Sequence, residues 1–201
     1  MITTVIELQY HFDIVCPFAY LGSTQIESLC ESHSATLSWH PVLLGGILKS
    51  IGTDPLFTVK LPAAKIRHNI LDMQRWADLY GVPFSMHPRH PVRTVMTQRA
   101  LVAAGSPATL VHRLYRAYWV DTLALNEPDV LAEVITDAGY DGAGIVAETE
   151  NPAIKQQLRD ATDQVVARGA FGVPAMFVGD TLIWGQDRFQ FVEQLLRGGT
   201  L

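Results

Sequence analysis

The chain has 201 residues, of which 48% are hydrophobic and 17% charged, and its formal net charge is −5. This length and composition suit one domain, or one domain with a sizeable insertion, built on a substantial core. The acidic balance, without a basic stripe interleaved with aromatic residues, argues against a nucleic-acid partner. The apolar stretches are too short and too interrupted to span a membrane.

The N-terminal segment and the cysteine content indicate where the protein works. MITTVIELQY has no basic leader and carries Glu7 within its apolar run, so we expect no signal peptide. Two cysteines, Cys16 and Cys30, are too few for a disulfide framework. We therefore expect a protein of the reducing cytoplasm.

The first elements form a βαβ unit. Residues 4–12 (TVIELQYHF) are rich in β-formers and predict a buried strand. Pro17 suits the first turn of a helix, where its missing N–H costs nothing, and we expect that helix to end near residue 32. Residues 36–42 predict a second strand. Such a unit favours parallel pairing and a right-handed crossover.

The middle of the chain reads as a block of helices. Gly45, Gly46, Gly52 and Pro55 predict a loop after the second strand. A helix is predicted over residues 62–80, where one face carries Ile66, Ile70, Met73, Ala77 and Tyr80. Further helical patterns cover residues 94–104, 108–120, 129–138 and 153–168.

Two further strands are predicted near the C-terminus. Residues 172–185 (GVPAMFVGDTLIWG) predict a strand, a tight turn at Gly179-Asp180 and a second strand, and a last helix is expected over 188–197. The element order βαβ, helices, ββα predicts an α/β thioredoxin fold. We assign residues 1–50 plus 156–201 to the thioredoxin-like domain and 51–155 to a large all-helical insertion.

Three stretches carry a resemblance to a known family. They are FDIVCPFAYLGS at 12–23, MQRWADLYGVPF at 73–84 and GAFGVPAMFVGDTLIWGQDR at 169–188. With them the chain resembles the DsbA-like family, in its branch of 2-hydroxychromene-2-carboxylate isomerases and kappa-class glutathione transferases. The resemblance implies a DsbA-like fold, glutathione as cofactor, a small aromatic substrate and a homodimer.

Cys16 is the candidate catalytic residue. At a helix N-terminus the free N–H groups and the helix dipole favour a thiolate, so we expect a lowered pKa. The alternative is a buried packing cysteine. The resemblance implies that relatives carry a serine here, whose hydroxyl holds the thiolate of glutathione. Cys16 would then either donate its S–H to that thiolate or form a mixed disulfide with glutathione.

Cys16 has no obvious redox partner. Ala19 stands where the second cysteine of a Cys-x-x-Cys motif would be. Cys30 lies on the same predicted helix, ~21 Å away at ~1.5 Å per residue. Because a disulfide needs Cα atoms within about 7 Å, no intramolecular bridge is expected, and we predict that Cys30 belongs to the core.

The C-terminal stretch supplies most of the glutathione contacts that the resemblance implies. The Val173–Pro174 bond would be cis, and the backbone of Val173 would pair with the cysteinyl part of glutathione. The alternative is an ordinary strand edge. Gln186, Asp187 and Arg188 would hold the γ-glutamyl end. Asp187 also suits the N-cap of the last helix.

Two residues of the predicted insertion complete the implied glutathione site. Lys65 would reach the glycyl carboxylate or the substrate, although a lone lysine is more often solvated. Thr53 stands where the family carries an asparagine, and it can still form a hydrogen bond. Trp76 and Tyr80 are predicted to pack between the insertion and the main domain, or to line an apolar pocket.

The MHPRHPVR stretch, residues 86–93, has two possible roles, a metal site or a substrate contact. His87 and His90 without further ligands are too weak a pattern for a metal, so none is predicted. Arg89, Arg93 and Arg99 are predicted to be solvated, or one of them to face a substrate carboxylate. The asparagine that isomerases carry in this loop has no clear equivalent.

The sequence thus predicts a glutathione-dependent isomerase. Thiol addition to a conjugated double bond, rotation and expulsion need no second cysteine, which agrees with Ala19. The main alternative is a DsbA-like monothiol oxidoreductase, in which Cys16 attacks a disulfide and glutathione resolves it. Two further alternatives are a kappa-type glutathione transferase and a non-catalytic binding module.

Overall fold

The computed structural model describes residues 5–201, without the side chain of Val59. Its sheet has the strand order β2-β1-β3-β4. The strands are β1 (Glu7–Phe12), β2 (Thr36–Pro41), β3 (Ala175–Val178) and β4 (Thr181–Trp184). β1 pairs in parallel with β2, whereas the β1–β3 and β3–β4 pairs are antiparallel. The four predicted strands are confirmed, and Thr4, the predicted start of the first, lies outside the described residues.

Helices fill the rest of the chain. They are α1 (Pro17–Ser32), α2 (Leu44–Ser50), α3 (Ala63–Tyr80), α4 (Val95–Ala103), α5 (Ala108–Trp119), α6 (Pro128–Asp137), α7 (Gly142–Glu148), α8 (Pro152–Ala167) and α9 (Phe189–Leu196), with a short 3₁₀ helix at Phe57–Lys60. The predicted thioredoxin-like order with a helical insertion is confirmed. The predicted boundary between residues 155 and 156 falls within α8. Within residues 5–201, none of these helices has the length and apolar character that a membrane crossing requires.

The predicted loop at Gly45 and Gly46 is wrong, because this segment forms α2. Two long-range contacts outweigh the poor helix propensity of the glycines. A Cβ at Gly46 would lie only 3.1 Å from Cγ2 of Thr162, so the missing side chain lets α2 approach α8 closely. The first N–H of α2, that of Leu44, donates to Oδ2 of Asp13 at 2.9 Å. The sequence also did not predict α7.

The core is one buried cluster that joins the sheet and α1 to α4, α5 and α6 of the insertion. Leu8, Tyr10 and Phe12 alternate along β1 and are fully buried, as a strand with one core face requires. The predicted apolar face of α3 is only partly correct. Its second half is buried at Met73 and Ala77, whereas Ile70 in the first half is 43% exposed. Only the C-terminal half of α3 is therefore packed against the domain.

Candidate active site

Cys16 lies at the point where β1 gives way to α1. It is the N-cap residue of that helix, and Pro17 occupies the first turn as predicted. Its side chain is only 5% exposed, and its Sγ donates a hydrogen bond to the backbone carbonyl of Val173 at 3.2 Å. The structure thus brings together two predicted site residues that are far apart in sequence.

The predicted lowering of the Cys16 pKa is wrong. Burial raises the pKa of the thiol to about 12, and the carboxylate of Asp13 adds to the increase. The N–H groups of Ala19 and Phe18 in the first helical turn act in the expected direction, but they do not compensate for the loss of hydration. At neutral pH Cys16 is therefore a neutral thiol and a hydrogen-bond donor.

The Val173–Pro174 segment has the geometry that the resemblance implied. Its peptide bond is cis, as predicted. The carbonyl of Val173 accepts the Cys16 S–H, and its N–H has no acceptor within residues 5–201. Val173 is buried. A buried, unpaired backbone N–H next to the thiol is a free recognition group, since such donors are almost always paired in proteins.

Asp13 is a buried carboxylate beneath Cys16, and sequence reasoning missed it. Its Oδ1 accepts the N–H of Val15 at 3.2 Å and the hydroxyl of Thr94 at 2.6 Å, and its Oδ2 accepts the N–H of Leu44. Burial raises the pKa of Asp13, and these hydrogen bonds offset part of that rise. The signal in the sequence was an acidic residue between apolar residues, three positions before the cysteine.

Two side chains of the helical insertion bind the backbone of the Cys16 loop, residues 12–16. The Nε2 of Gln98 on α4 donates to the carbonyls of Phe12 and Val42 at 2.8 and 2.9 Å. The indole N–H of Trp119 on α5 donates to the carbonyl of Ile14 at 2.8 Å. The carbonyl of Phe12 also accepts the N–H of Val42 at 2.9 Å, whereas those of Val42 and Ile14 have no other partner within residues 5–201. The two buried side chains therefore fix the loop that carries the thiol.

Gln186 is a buried contact between three elements. Its Oε1 lies 2.7 Å from the hydroxyl of Tyr80 on α3. It also packs against Gly22 of α1, where an added Cβ would be 3.1 Å from Cβ of Gln186 and 2.6 Å from the hydroxyl of Tyr10. The ring of Tyr80 packs against Trp76. Both rings are partly buried against the core, and Tyr80 binds Gln186, so the predicted packing of Trp76 and Tyr80 between insertion and main domain is confirmed.

Asp187 and Arg188 lie on the surface. Their side chains form an ion pair with each other at 2.5 Å. The suggested capping role of Asp187 is wrong, because α9 begins at Phe189 with Arg188 as its N-cap and has no side-chain cap. Asp187 remains available to a ligand. Burial raises the pKa of the nearby Tyr80 to about 12, and the charge of Asp187 contributes to that rise.

Thr53 and Lys65 lie at the edge of the insertion. Thr53 follows α2, and its N–H donates to the carbonyl of Leu48 at 2.8 Å. Lys65 is exposed in the first turn of α3. Within the described part of the chain, no hydrogen bond or ion pair joins either residue to Cys16, Val173 or Asp187. Their roles in binding remain predictions.

Comparison with known proteins identifies the family. Residues 7–197 match the DSBA-like thioredoxin domain. The chain belongs to this family. It is 26% identical to the 2-hydroxychromene-2-carboxylate isomerase of Pseudomonas sp. (strain C18), over 96% of this chain and 92% of that protein. It is 25% identical to glutathione S-transferase kappa 1 of Rattus norvegicus, over 94% of this chain and 90% of the relative.

A solved structure shows the same fold. The structure of a selenomethionine form of 2-hydroxychromene-2-carboxylate isomerase superposes with a TM-score of 0.83 at 24% identity, covering 96% of this chain and 95% of the other. The resemblance to isomerases and kappa transferases that the motifs predicted is thus confirmed. The DsbA-like fold is confirmed as well.

This DsbA-like domain has one cysteine at the site and one in the core. Cys30 is buried among core residues of α1, as predicted, and both cysteines are free. His87 stacks on Tyr118 with ring centroids 5.0 Å apart. No group of three His, Cys, Asp or Glu side chains suited to a metal ion occurs among residues 5–201.

Proposed function

We propose that this protein is a glutathione-dependent isomerase, which changes the geometry of a conjugated double bond in a small aromatic substrate. The relatives named 2-hydroxychromene-2-carboxylate isomerase support this class of reaction. The observation that carries the proposal is the buried Cys16 thiol, which is neutral and donates a hydrogen bond beside the N-terminus of α1. That is what a serine hydroxyl would do at the same place.

The residues around the thiol fit glutathione. The N–H and C=O of Val173 are the paired groups that an extended peptide needs for strand-like docking. The N–H groups of Phe18 and Ala19 lie where they lower the pKa of a sulfur at this position, so they suit a second, anionic sulfur as well. When bound, glutathione would supply the thiolate that adds to the double bond and leaves after rotation, with no net transfer of protons or electrons.

Cys16 keeps its own proton in this scheme. Its S–H turns from the carbonyl of Val173 to the incoming sulfur and stabilises the negative charge. The first turn of α1 adds backbone N–H donors, and the buried setting strengthens these interactions by excluding water. The cysteine is therefore a donor and not a nucleophile.

The outer residues would hold the ends of the tripeptide. Asp187 would bind the free ammonium of the γ-glutamyl end, with Gln186 and Arg188 beside it. Lys65 and Thr53 would bind the glycyl carboxylate. We further infer a homodimer that works in the cytoplasm, where two free cysteines and millimolar glutathione are compatible.

A kappa-type glutathione transferase is the second candidate, supported by the kappa relatives. It would use the same thiolate site and differ in keeping the thioether product. A monothiol oxidoreductase is disfavoured by the pKa of Cys16, because its thiolate would have to attack a disulfide.

Three forms of the protein test the proposal. Wild type and Cys16→Ser should both isomerise 2-hydroxychromene-2-carboxylate in the presence of glutathione, whereas Cys16→Ala should lose about tenfold or more in kcat/KM. Millimolar glutathione should raise the Tm of all three by mass action. No shift at several millimolar would overturn the glutathione proposal. Activity in wild type that is lost in Cys16→Ser would favour thiol exchange.

A further inference from the structure

Tyr80, the last residue of α3, makes a polar contact from the insertion to the C-terminal part of the chain. Its hydroxyl lies 2.7 Å from Oε1 of Gln186 and 3.0 Å from the backbone carbonyl oxygen of the same residue. The phenol has one proton, and the shorter contact gives that proton to Oε1. Tyr80 therefore binds the amide of one of the residues predicted to hold glutathione.

The Gln186 side chain is held on both sides. It is 3% exposed, and its Cβ would lie 3.1 Å from a Cβ added to Gly22 of α1, so this glycine lets it pack directly on the helix. An amide carries one acceptor oxygen and one donor NH2 group, and Tyr80 occupies the oxygen. The Nε2 group has no acceptor among residues 5–201, and it is not one of the polar atoms buried there without a partner. A donor is thus the group that Gln186 presents to a ligand.

This amide lies next to the cis-proline segment and to Asp187. The N–H of Gly185 donates to the carbonyl of Pro174 at 3.1 Å, so Gln186 directly follows a residue that is bound to that segment. Gly185 has a φ of +102°, and a Cβ there would lie 2.8 Å from Oδ1 of Asp187. The chain turns here in a conformation that favours glycine, and the Asp187 carboxylate lies against the turn. An amide donor and a carboxylate acceptor on neighbouring residues suit the carboxylate and the ammonium of an α-amino acid.

The hydroxyl of Tyr80 stays a donor over the physiological pH range. Burial raises the pKa of Tyr80 to about 12, and the charge of Asp187 contributes to that rise. The ring is fixed by packing against Trp76, with centroids 5.4 Å apart. Because the phenol keeps both its proton and its place, it holds the Gln186 amide in a single orientation, with Nε2 free.

We propose that Tyr80 is a positioning residue for the γ-glutamyl end of glutathione, which turns the Gln186 amide so that Nε2 donates to the α-carboxylate of that end. Asp187 would then bind the neighbouring ammonium. The inference rests on the proposed function, and it goes beyond the sequence analysis, in which Tyr80 was expected only to pack or to line an apolar pocket. It gives the C-terminal end of α3 a part in recognising the tripeptide.

Three ligands distinguish the two charged groups of the γ-glutamyl end. Isothermal titration calorimetry compares glutathione with γ-aminobutyryl-cysteinylglycine, which lacks the α-carboxylate, and with glutaryl-cysteinylglycine, which lacks the ammonium. Wild type should prefer glutathione to the first analogue by about tenfold or more, as expected for a hydrogen bond to a charged group. Tyr80→Phe keeps the ring and removes the hydroxyl. It should lose most of that preference and keep its preference over the second analogue.

Tyr20→Phe is the matched control. The hydroxyl of Tyr20 donates to the carbonyl of Pro83 at 2.6 Å, so it fastens the turn that follows Tyr80 and its proton does not go to Gln186. This variant should keep both preferences. Gln186→Met keeps the length of the side chain without the amide. It should lose the carboxylate preference, and adding Tyr80→Phe to it should change that preference no further.

The outcomes separate this role from the proposed function. No binding of glutathione by wild type would overturn both. If wild type binds glutathione, an equal carboxylate preference in wild type and Tyr80→Phe would overturn the role of Tyr80 alone. So would an equal loss of affinity for all three ligands, which a merely structural role predicts, or a loss that adds to that of Gln186→Met.

Discussion

The two ends of the candidate site are built in opposite ways. Around Cys16 the polar side chains of Asp13, Gln98 and Trp119 are buried and bind backbone or side-chain partners across the fold. At the outer end, Asp187 and Lys65 are exposed, and within residues 5–201 Asp187 pairs only with its sequence neighbour. We call the surroundings of Cys16 the rigid end, which sets the chemistry. The surface around Asp187 and Lys65 is the adaptable end, which would bind a flexible peptide.

Three helix N-termini offset part of the cost of burying Asp13 at the rigid end. α1 begins at the Cys16 loop, α2 begins with the N–H that binds Asp13, and α4 begins after Thr94, which also binds Asp13. Partial positive charge at these ends stabilises the buried carboxylate. The same negative charge helps to keep Cys16 protonated, so stability and chemistry have a common origin here.

The largest effect is expected from removing the buried carboxylate. Asp13→Ala leaves the N–H groups of Val15 and Leu44 and the hydroxyl of Thr94 without their acceptor. Each unsatisfied buried donor costs about 1–3 kcal/mol, so the free energy of unfolding should fall by about 3 kcal/mol or more. Urea denaturation at neutral pH measures the loss.

Thr94→Val is the control for this variant. It should cost less alone, and it should add little in the Asp13→Ala background, because the two residues share one interaction. Simple additivity, or a loss below about 1 kcal/mol in Asp13→Ala, would show that the rigid end does not depend on this network.

A smaller effect on the free energy of unfolding is expected from lowering the pH. His11 on β1 lies opposite His40 on β2, with ring centroids 4.7 Å apart, and neither ring nitrogen of His11 has a partner in the described part of the chain. Burial, then the charges of His40 and Arg168, lower the pKa of His11 to about 3. Unfolding restores it to about 6.5, so stability is complete above that pH and declines as the pH falls toward 3.

His11→Phe should weaken this decline. The wild-type free energy of unfolding should fall by up to about 1.4 kcal/mol per pH unit for each such histidine between pH 6.5 and 4. Urea midpoints at pH 7 and pH 5 measure it. A residual slope remains in the variant, because the pKa values of His40 and His90 are lowered as well. Equal slopes in both proteins would exclude His11 as a source.

The sequence predicted the order of the strands and helices and the residues of the motifs. The βαβ and ββα units, the cis bond before Pro174 and its position opposite Cys16 all followed from local patterns and the resemblance. The rigid end did not, because Asp13 meets partners that lie 31 and 81 positions away in sequence. Nor can a sequence show how deeply Cys16 is buried, and burial is what reversed the expected direction of its pKa.

The smallest effect on stability is expected at the adaptable end. Asp187 is 41% exposed and, in the part of the chain that the structure describes, pairs with Arg188 alone, so Asp187→Ala should change the free energy of unfolding by no more than about 0.5 kcal/mol. If Asp187 binds the ammonium of glutathione, the same variant should nevertheless lose much of the Tm shift that glutathione causes. Asp163→Ala, an exposed aspartate on α8, is the matched control and should keep the full shift. A full shift in Asp187→Ala would remove this residue from the glutathione site, and a large loss of stability would contradict the division between the two ends.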